Sequence, residues 1–349
     1  MARQHDTFDL STGLSVLLPV YFRDASVEHV TQLRRAIESV ISQDGLASFE
    51  IVLIDDGSTT PVASHTNFLG AEITKPIRWI RCERNGGLAH ALNIGLRVAR
   101  FPLIGRLDAD DCWGNGKIKK QIERFVADPD LSLVATGMTR LKPSGEIVDR
   151  LIRPGDWRGI LRFFVEVGCP FPHGSVVARK DIYQLLGGYP QDATFAHCED
   201  FALWSIWLRF FKPETIEELL YNYTVSPTSV SSENAQQQVR ATDFLRSRFA
   251  GLNLTERLPQ ALSELGALLG MPLLNVGALC YRMWQHVLPV WLPRKSIEPL
   301  RTILCDRDVD AAPDLEPIAL RVGDVLFDHQ PTRAPPAGHD TIVIARSMT

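Results

Sequence analysis

The sequence as a whole carries no surplus of positive charge. Lys and Arg number 37 against 41 Asp and Glu, a formal net charge of -4 over 349 residues. Nucleic acid is gripped by massed basic side chains, so none is expected as a partner, and any phosphate recognition has to be local. A disulfide framework is also missing. The six cysteines, Cys82, Cys112, Cys169, Cys198, Cys280 and Cys305, stand at no redox or metal-ligand spacing, so free thiols are expected. No apolar run reaches the roughly 20 residues of a spanning helix. The first residues lack the basic and apolar regions of a secretory signal, which leads to the expectation of a cytoplasmic protein. There is no Walker A sequence, no Gly-x-Ser-x-Gly elbow and no His-Glu-x-x-His, and Gly114-Asn115-Gly116 lacks the third glycine of a dinucleotide fingerprint.

What is present is ordinary globular composition, 45% hydrophobic and 22% charged, and a length that suits about two domains. Strand-like and helix-like runs alternate. Leu14 to Leu18 is a short apolar run closed by Pro19, the pattern of a buried strand. Val30, Leu33, Ala36, Ile37 and Val40 recur on one face of a predicted helix from Val27 to Ile41. Phe49 to Ile54 and Ile77 to Arg81 read as strands, Leu88 to Ala99 as a helix, and Phe101 to Leu107 as a strand. Lys117 to Ala127 reads as a helix and Leu131 to Thr136 as a strand. This alternation predicts an α/β fold with a mainly parallel central sheet flanked by helices. Ligands of such sheets bind beyond the carboxyl ends of the strands. From Leu141 to about Pro172 the pattern loosens. Helices are predicted again from Arg179 to Leu186 and from Glu199 to Phe211, the second stopped by Pro213.

Four clusters sit where chemistry is expected. Asp55-Asp56-Gly57-Ser58-Thr59 follows a strand. Its two carboxylates can accept from a base N–H and a ribose hydroxyl, and Gly57 admits a close backbone approach; the same residues also make a plain Asp-Gly turn. Asn85-Gly86-Gly87-Leu88-Ala89 lies where a strand gives way to a helix, a place whose backbone N–H groups suit a diphosphate or a sugar; a Gly-rich turn with Asn93 as a solvated helix residue fits the same residues equally well. Asp108-Ala109-Asp110-Asp111 puts three carboxylates in four residues, which repel unless a cation offsets them. A hard divalent ion shared with substrate phosphates does so; a helix N-cap cluster ahead of Lys117 is the alternative. It is no EF-hand, since Trp113 and Lys119 stand where that loop needs Gly and Glu. His197-Cys198-Glu199-Asp200 opens a helix, where acids also serve the helix dipole. Set against a distant Asp-x-Asp, the pair suits general-base work. Phe171-Pro172-His173-Gly174-Ser175 can bring an imidazole to the same cleft, although a lone histidine is more often structural. Trp113 and Trp204 are expected in the core rather than stacked on a sugar.

In chain order, Pro19-Val20-Tyr21, Asp55-Asp56-Gly57-Ser58, Asn85-x-Gly87-Leu88, Asp108-x-Asp110-Asp111, Gly187-Gly188-Tyr189 and Glu199-Asp200 closely resemble the motif series of family 2 glycosyltransferases with the GT-A fold. Gln121, His173-Gly174-Ser175 and Ser229-Val230-Ser231 after Tyr221 are similar to that family as well, so the resemblance covers Leu14 to Ser232. It implies inverting transfer of a sugar from a nucleotide-diphosphate-sugar, a UDP-sugar first among them, with Mg2+ or Mn2+ as cofactor. The acceptor it implies is a hydroxyl of a saccharide or lipid-linked molecule, in surface polysaccharide or glycoconjugate synthesis. Carried over residue by residue, Asp200 is the general base with Glu199 as runner-up, and Asp110 and Asp108 are the metal ligands. The donor-binding set is Pro19, Val20, Tyr21, Asp55, Asp56, Asn85, Gly87, Arg106, Asp108, Ala109, Asp110 and His173. The chain departs from the pattern at Tyr21-Phe22-Arg23-Asp24, where Asn or Lys is commoner. Gln238-Val239-Arg240 lacks the tryptophan of processive polymerases, which points to transfer of a single sugar.

The expected organisation is a GT-A-type catalytic domain over residues 1–235, with a nucleotide-sugar half at about 13–111 and an acceptor half at about 112–235. A mostly helical extension over residues 236–349 follows, with strand-like runs at Ile318 to Phe327 and Thr341 to Ala345. Between Glu264 and Arg282 lies a charge-free stretch, expected to pack on the catalytic domain or on a second copy of the chain. Its flanking Arg282, Trp284, Trp291, Arg294 and Lys295 keep open an interfacial helix on the inner face of the cytoplasmic membrane. Two other classes remain. A sugar nucleotidyltransferase normally has a Gly-rich basic signature near its start, where Tyr21-Phe22-Arg23 has no glycine. A non-catalytic saccharide-binding scaffold sits poorly with the intact acidic cluster and Glu199-Asp200.

Overall fold

Apolar strands and one-sided helices alternate through the first hundred residues and build a parallel block. A computed structural model of the protein describes residues 11–44, 48–65, 76–225, 235–250 and 254–287. The block comprises β1 (Leu14–Val20), α1 (Val27–Ile41), β2 (Phe49–Asp55), β3 (Ile77–Arg81), α2 (Leu88–Val98) and β4 (Leu103–Arg106). β1 and β4 are buried along their whole length, as strands covered on both faces must be. β1 runs parallel to β2 and to β4, and β2 parallel to β3. Pro19 lies inside β1 rather than after it. Leu17 turns its carbonyl to Leu107, on the β4 side, and by the two-residue alternation Pro19 faces the same side. The β4 ladder has ended at Leu17, so the missing N–H of Pro19 costs no strand bond. α1 starts at Ser26, whose hydroxyl accepts from His29 N while the His29 ring reaches back to the Ser26 N–H. Leu33, Ala36, Ile37 and Val40 form its buried stripe.

The second half adds β5 (Cys112–Trp113), α3 (Lys117–Ala127), β6 (Leu131–Leu141), β7 (Ile147–Leu151), α4 (Trp157–Glu166), β8 (Val177–Arg179), α5 (Lys180–Leu186), α6 (Glu199–Phe210) and β9 (Lys212–Thr224). All nine strands share one sheet, in the order β3-β2-β1-β4-β8-β6-β9-β5 with β7 beside β6. β8 is antiparallel to both β4 and β6, β7 to β6, and β5 to β9, whereas β6 and β9 are parallel. The sheet is therefore a parallel block joined to a mixed one. Five of these elements, β5, β7, α4, β8 and β9, were not expected. The loosened stretch after Leu141 contains β7 and α4, whose Trp157, Ile160, Leu161 and Phe164 are all buried. Each such side chain contributes about 1.5–3 kcal/mol on burial. β9 runs through Pro213, which sits at a register shift opposite Leu133 near the strand's start, a place where a missing N–H is tolerated.

The two faces of the sheet carry separate cores. Leu17, Val52, Ile54 and Ile104 join the cluster with α2, α4 and α6, and Val16, Leu18, Leu53 and Leu103 join the one with α1 and α3. α7 (Ala235–Ala250), α8 (Leu254–Leu269) and α9 (Leu273–Val287) complete the described residues. Leu258, Leu262, Leu265, Leu274, Val276 and Tyr281 belong to the same cluster as Trp157 and Phe164 of α4 and Trp204 and Trp207 of α6. The Tyr281 ring meets Phe210 edge-on at 5.5 Å. The charge-free stretch after Glu264 is thus covered by α4 and α6. No single described helix is long and apolar enough to cross a membrane; α8 and α9 pass only as a pair bent by 105°. Trp291, Arg294, Lys295, Ser229-Val230-Ser231, Cys305 and the strand-like runs at Ile318 to Phe327 and Thr341 to Ala345 lie outside the described residues, as does the side chain of Trp284.

Candidate active site

The loops after β1, β2 and β4 meet at one edge of the parallel block. Asp56 N donates to Val20 O at 2.8 Å, Phe22 N to Ser58 Oγ at 2.9 Å, and Thr59 N to Phe22 O at 3.1 Å, which ties the first two loops together. Tyr21 follows β1 and is 45% exposed. The two neighbouring acids do different work. Asp55 Oδ1 accepts from Ser58 N (2.8 Å), and Oδ2 accepts from Val62 N (3.0 Å) and Arg81 Nη1 (2.5 Å). Burial pushes its carboxyl up, but the donors at Val62, Ser58 and Arg81 outweigh burial and hold it below the usual range. Asp56 accepts from the backbone N–H groups of Gly86 and Gly87, the latter at 2.8 Å. That grip fixes the Asn85-Gly86-Gly87 loop at the start of α2, where Gly87 caps the helix at φ 86°. Gly57, at φ 73°, is required by the chain's own packing: a Cβ there would lie 2.3 Å from the Arg84 backbone. Asn85 is exposed.

After β4 the chain places a buried cation among carboxylates. Arg106, the last residue of β4, is 4% exposed and ion-paired with Asp108. Burial opposes its charge, but Asp108 and the groups beyond it hold it protonated more firmly than usual. Of the three acids, Asp111 belongs to the scaffold. It accepts from Tyr221 Oη and from Thr224 N (2.7 Å), which fastens the acidic loop to β9. Burial, then the charges of Asp108 and Asp110, push its carboxyl well up. Asp110 is raised to about 6 by burial and by Asp108, against the opposing pull of Arg106 and His29. His29 stacks on Phe22 at 5.6 Å, so the loop after β1 stands beside Asp110. Ala109 lies between, partly buried.

The second half closes on the same arginine. His173 opens the short turn before β8 and its Nε2 bonds Tyr189 Oη at 2.8 Å. Burial, then Arg106, pushes its pKa well down, which favours the neutral imidazole. Tyr189 is held by a reciprocal pair with Asn93: its N–H donates to Asn93 Oδ1 and its carbonyl accepts from Asn93 Nδ2, each at 2.8 Å. Glu199 and Asp200 begin α6. Burial, then the Asp200 charge, raises Glu199 to about 7. Asp200 is also raised, by burial first and in part by Asp108, while Arg106 pulls it down. Its Oδ1 accepts from Phe201 N (2.7 Å), and Cys169 Sγ lies 3.9 Å from Oδ2. The backbone is strained just before the pair: His197 has φ 64°, among the described residues the only non-glycine in the left-handed region.

Asp108, Asp110, His173, Glu199 and Asp200 thus surround Arg106 closely enough for its charge to act on each. Of Pro19, Val20 and Tyr21, Val20 is tied to the Asp56 loop through its carbonyl. Asp55 and Asp111 are committed to holding loops. Trp113 and Trp204 are buried and do not face a ligand. Sequence reasoning passed over Cys169, a lone thiol with no motif spacing to mark it for this site. Asn93, which the plain-turn reading left as a solvated helix residue, is instead bonded to Tyr189.

The family model described as "Glycosyl transferase family 2" matches residues 15–186. An uncharacterized glycosyltransferase of Haemophilus influenzae is 30% identical over 196 residues, covering 54% of this chain and 67% of that protein. The amylovoran biosynthesis glycosyltransferase AmsE of Erwinia amylovora is 29% identical over 190 residues, again 54% and 67%. The chain therefore spans about two thirds of the length of these relatives. A crystal structure of S. aureus TarS in complex with UDP-GlcNAc superposes with a TM-score of 0.50 at 16% identity, covering 67% of this chain and 65% of that one. That likeness is one of fold, the GT-A-like α/β sheet with its flanking helices.

Proposed function

The chain belongs to glycosyl transferase family 2, and on that premise we propose that it transfers one sugar from a nucleotide-diphosphate-sugar to a hydroxyl of a saccharide or lipid-linked acceptor, with inversion at the anomeric carbon. The observation that carries this reading is the buried Arg106, with Asp108 and Asp110 after β4 and Glu199 and Asp200 at the start of α6 within reach of its charge. Asp200 is the general base. It takes the acceptor hydroxyl proton as that oxygen attacks the anomeric carbon, and the bond from that carbon to the diphosphate breaks. Arg106 stands fixed and charged where the departing diphosphate gains negative charge, and its charge pulls the Asp200 carboxyl down against the upward push of burial. Asp56 keeps acceptor capacity for a nucleoside beyond its bonds to Gly86 and Gly87.

The oxygen donors at Asp110 and Asp108 fit a hard divalent cation. Burial first, then the Asp108 charge, raises the Asp110 carboxyl to about 6 against Arg106 and His29, and a cation shared by the two carboxylates would offset both costs. Asp110 and Asp108 would hold Mg2+ or Mn2+, which would supply Lewis-acid stabilisation of diphosphate charge. A UDP-sugar is the proposed donor, the kind of ligand that the TarS structure holds. The AmsE name points to polysaccharide synthesis as the setting.

The test is product analysis with a panel of nucleotide-sugars. Transfer with release of the nucleoside diphosphate is expected; release of pyrophosphate would replace this reading with nucleotidyl transfer. Asp200→Asn should cut turnover by on the order of a hundredfold or more while the donor still raises the melting temperature. Near-normal turnover in that variant removes the base assignment.

A further inference from the structure

A second set of ligand-bearing side chains gathers where β2 and β3 end and α2 begins. Asp56 follows β2, Cys82 follows β3, and His90 lies in the first turn of α2. One carboxylate oxygen, one thiol sulfur and one imidazole nitrogen lie within 4.8 Å of one another. His90 Nδ1 is 3.7 Å from Asp56 Oδ1. That nitrogen is shut off from solvent and has no hydrogen-bond partner, which is costly for a buried polar atom. Gly86 makes the room it occupies, since a Cβ at that position would lie 2.2 Å from Nδ1. The Cys82 thiol is 8% exposed and unpaired with any other cysteine.

Donors at about 2.0–2.3 Å from a tetrahedral ion stand roughly 3.3–3.8 Å from each other. The Asp56–His90 separation already meets that spacing, and the outer limit of the cluster requires side-chain shifts of about 1 Å. Mixed sulfur, nitrogen and oxygen ligation is borderline in softness, unlike the all-oxygen set at Asp108 and Asp110. We propose that Asp56, Cys82 and His90 form a three-ligand site for a borderline-soft divalent cation, best met by Zn2+ with one position left to water. Occupied, it clips the start of α2 to the ends of β2 and β3. The site shares Asp56 with the proposed donor pocket but does not rest on the glycosyl-transfer reading.

The experiment uses the full chain, stripped by chelator and titrated with Co2+ in excess Mg2+, which fills any all-oxygen site. A near-ultraviolet thiolate-to-cobalt absorption saturating at one equivalent is expected, displaced by one equivalent of Zn2+. Cys82→Ser should lose the band, and His90→Gln, at a side chain 40% exposed, should weaken Co2+ binding at least tenfold with the circular dichroism spectrum unchanged. Absence of the band at stoichiometric Co2+ overturns the proposal. So does the same band in Cys82→Ser or undiminished affinity in His90→Gln, and the latter holds even if Cys82→Ser fails to fold.

Discussion

Glu199 offers a measurable link between the candidate site and stability. It is the first residue of α6 and 6% exposed. Burial, then the Asp200 charge, moves its pKa from an ordinary 4.5 to about 7. Below pH 4.5 the group is protonated in both folded and unfolded chains. Between the two values the folded chain keeps a proton that the unfolded chain has released, so stability falls by about 1.4 kcal/mol per pH unit, and the loss is complete above pH 7. The full penalty is about 3 kcal/mol, of which about 2.5 kcal/mol accrues between pH 5 and pH 8. Glu199→Gln cannot ionise and escapes it. The stability of the variant relative to wild type should therefore rise by about 2.5 kcal/mol from pH 5 to pH 8. Urea unfolding read by tryptophan fluorescence measures this, since Trp204 and Trp207 are buried on the same helix. Taking the difference between the two proteins cancels the titration of Asp110 and Asp111, which both share. A gap that stays constant across this range, or widens toward pH 5, refutes the reasoning. With Asp200 as base, the variant should also retain transfer.

Arg106→Met removes the cation common to Asp108, Asp110, Glu199 and Asp200. Breaking a buried pair of this kind costs about 3–5 kcal/mol, and urea unfolding should show a larger loss at pH 8 than at pH 5, because the carboxyls left behind ionise as pH rises. Gly188→Ala places a side chain at φ 82° with its Cβ 2.3 Å from Asn93 Oδ1. It should lower stability by about 1–3 kcal/mol, read as a drop in melting temperature; an unchanged melting temperature would dismiss the Asn93–Tyr189 pair as a fastening. Chelation by EDTA should abolish transfer, and added Mn2+ or Mg2+ should restore it. Full turnover in EDTA would refute the metal assignment at Asp110 and Asp108.

Much of the fold is local and can be read locally. α1, α3 and β3 lie where periodicity placed them, because Ser26 caps one helix and Gly116, at φ 73°, opens another. α4 was legible in principle: Trp157, Ile160, Leu161 and Phe164 repeat at helical spacing behind Asp156, which accepts from Gly159 N. Pro154, Gly155 and Gly159 masked that signal. β9 was hidden by Pro213, because a proline at a bulge and a proline ending a helix look alike until the partner strand is known. At the candidate site, composition marked the acidic clusters after β2 and β4. It could not divide their labour. Asp55 and Asp56 are neighbours in the chain, yet one braces Val62 and Arg81 and the other grips Gly86 and Gly87.

Sequence alone determined where helices start, which faces turn inward, and that carboxylates crowd the ends of strands, since each depends on residues a few positions apart. Tertiary structure decided which carboxylates are fastened and which titrate near neutrality. Asp111 meets Tyr221 across 110 positions and Asn93 meets Tyr189 across 96. Arg106 acts on Glu199 and Asp200 only because β4 and α6 are folded together. Solvation and charge at a site come from everything packed around it, and long-range packing leaves no local signature in the order of residues.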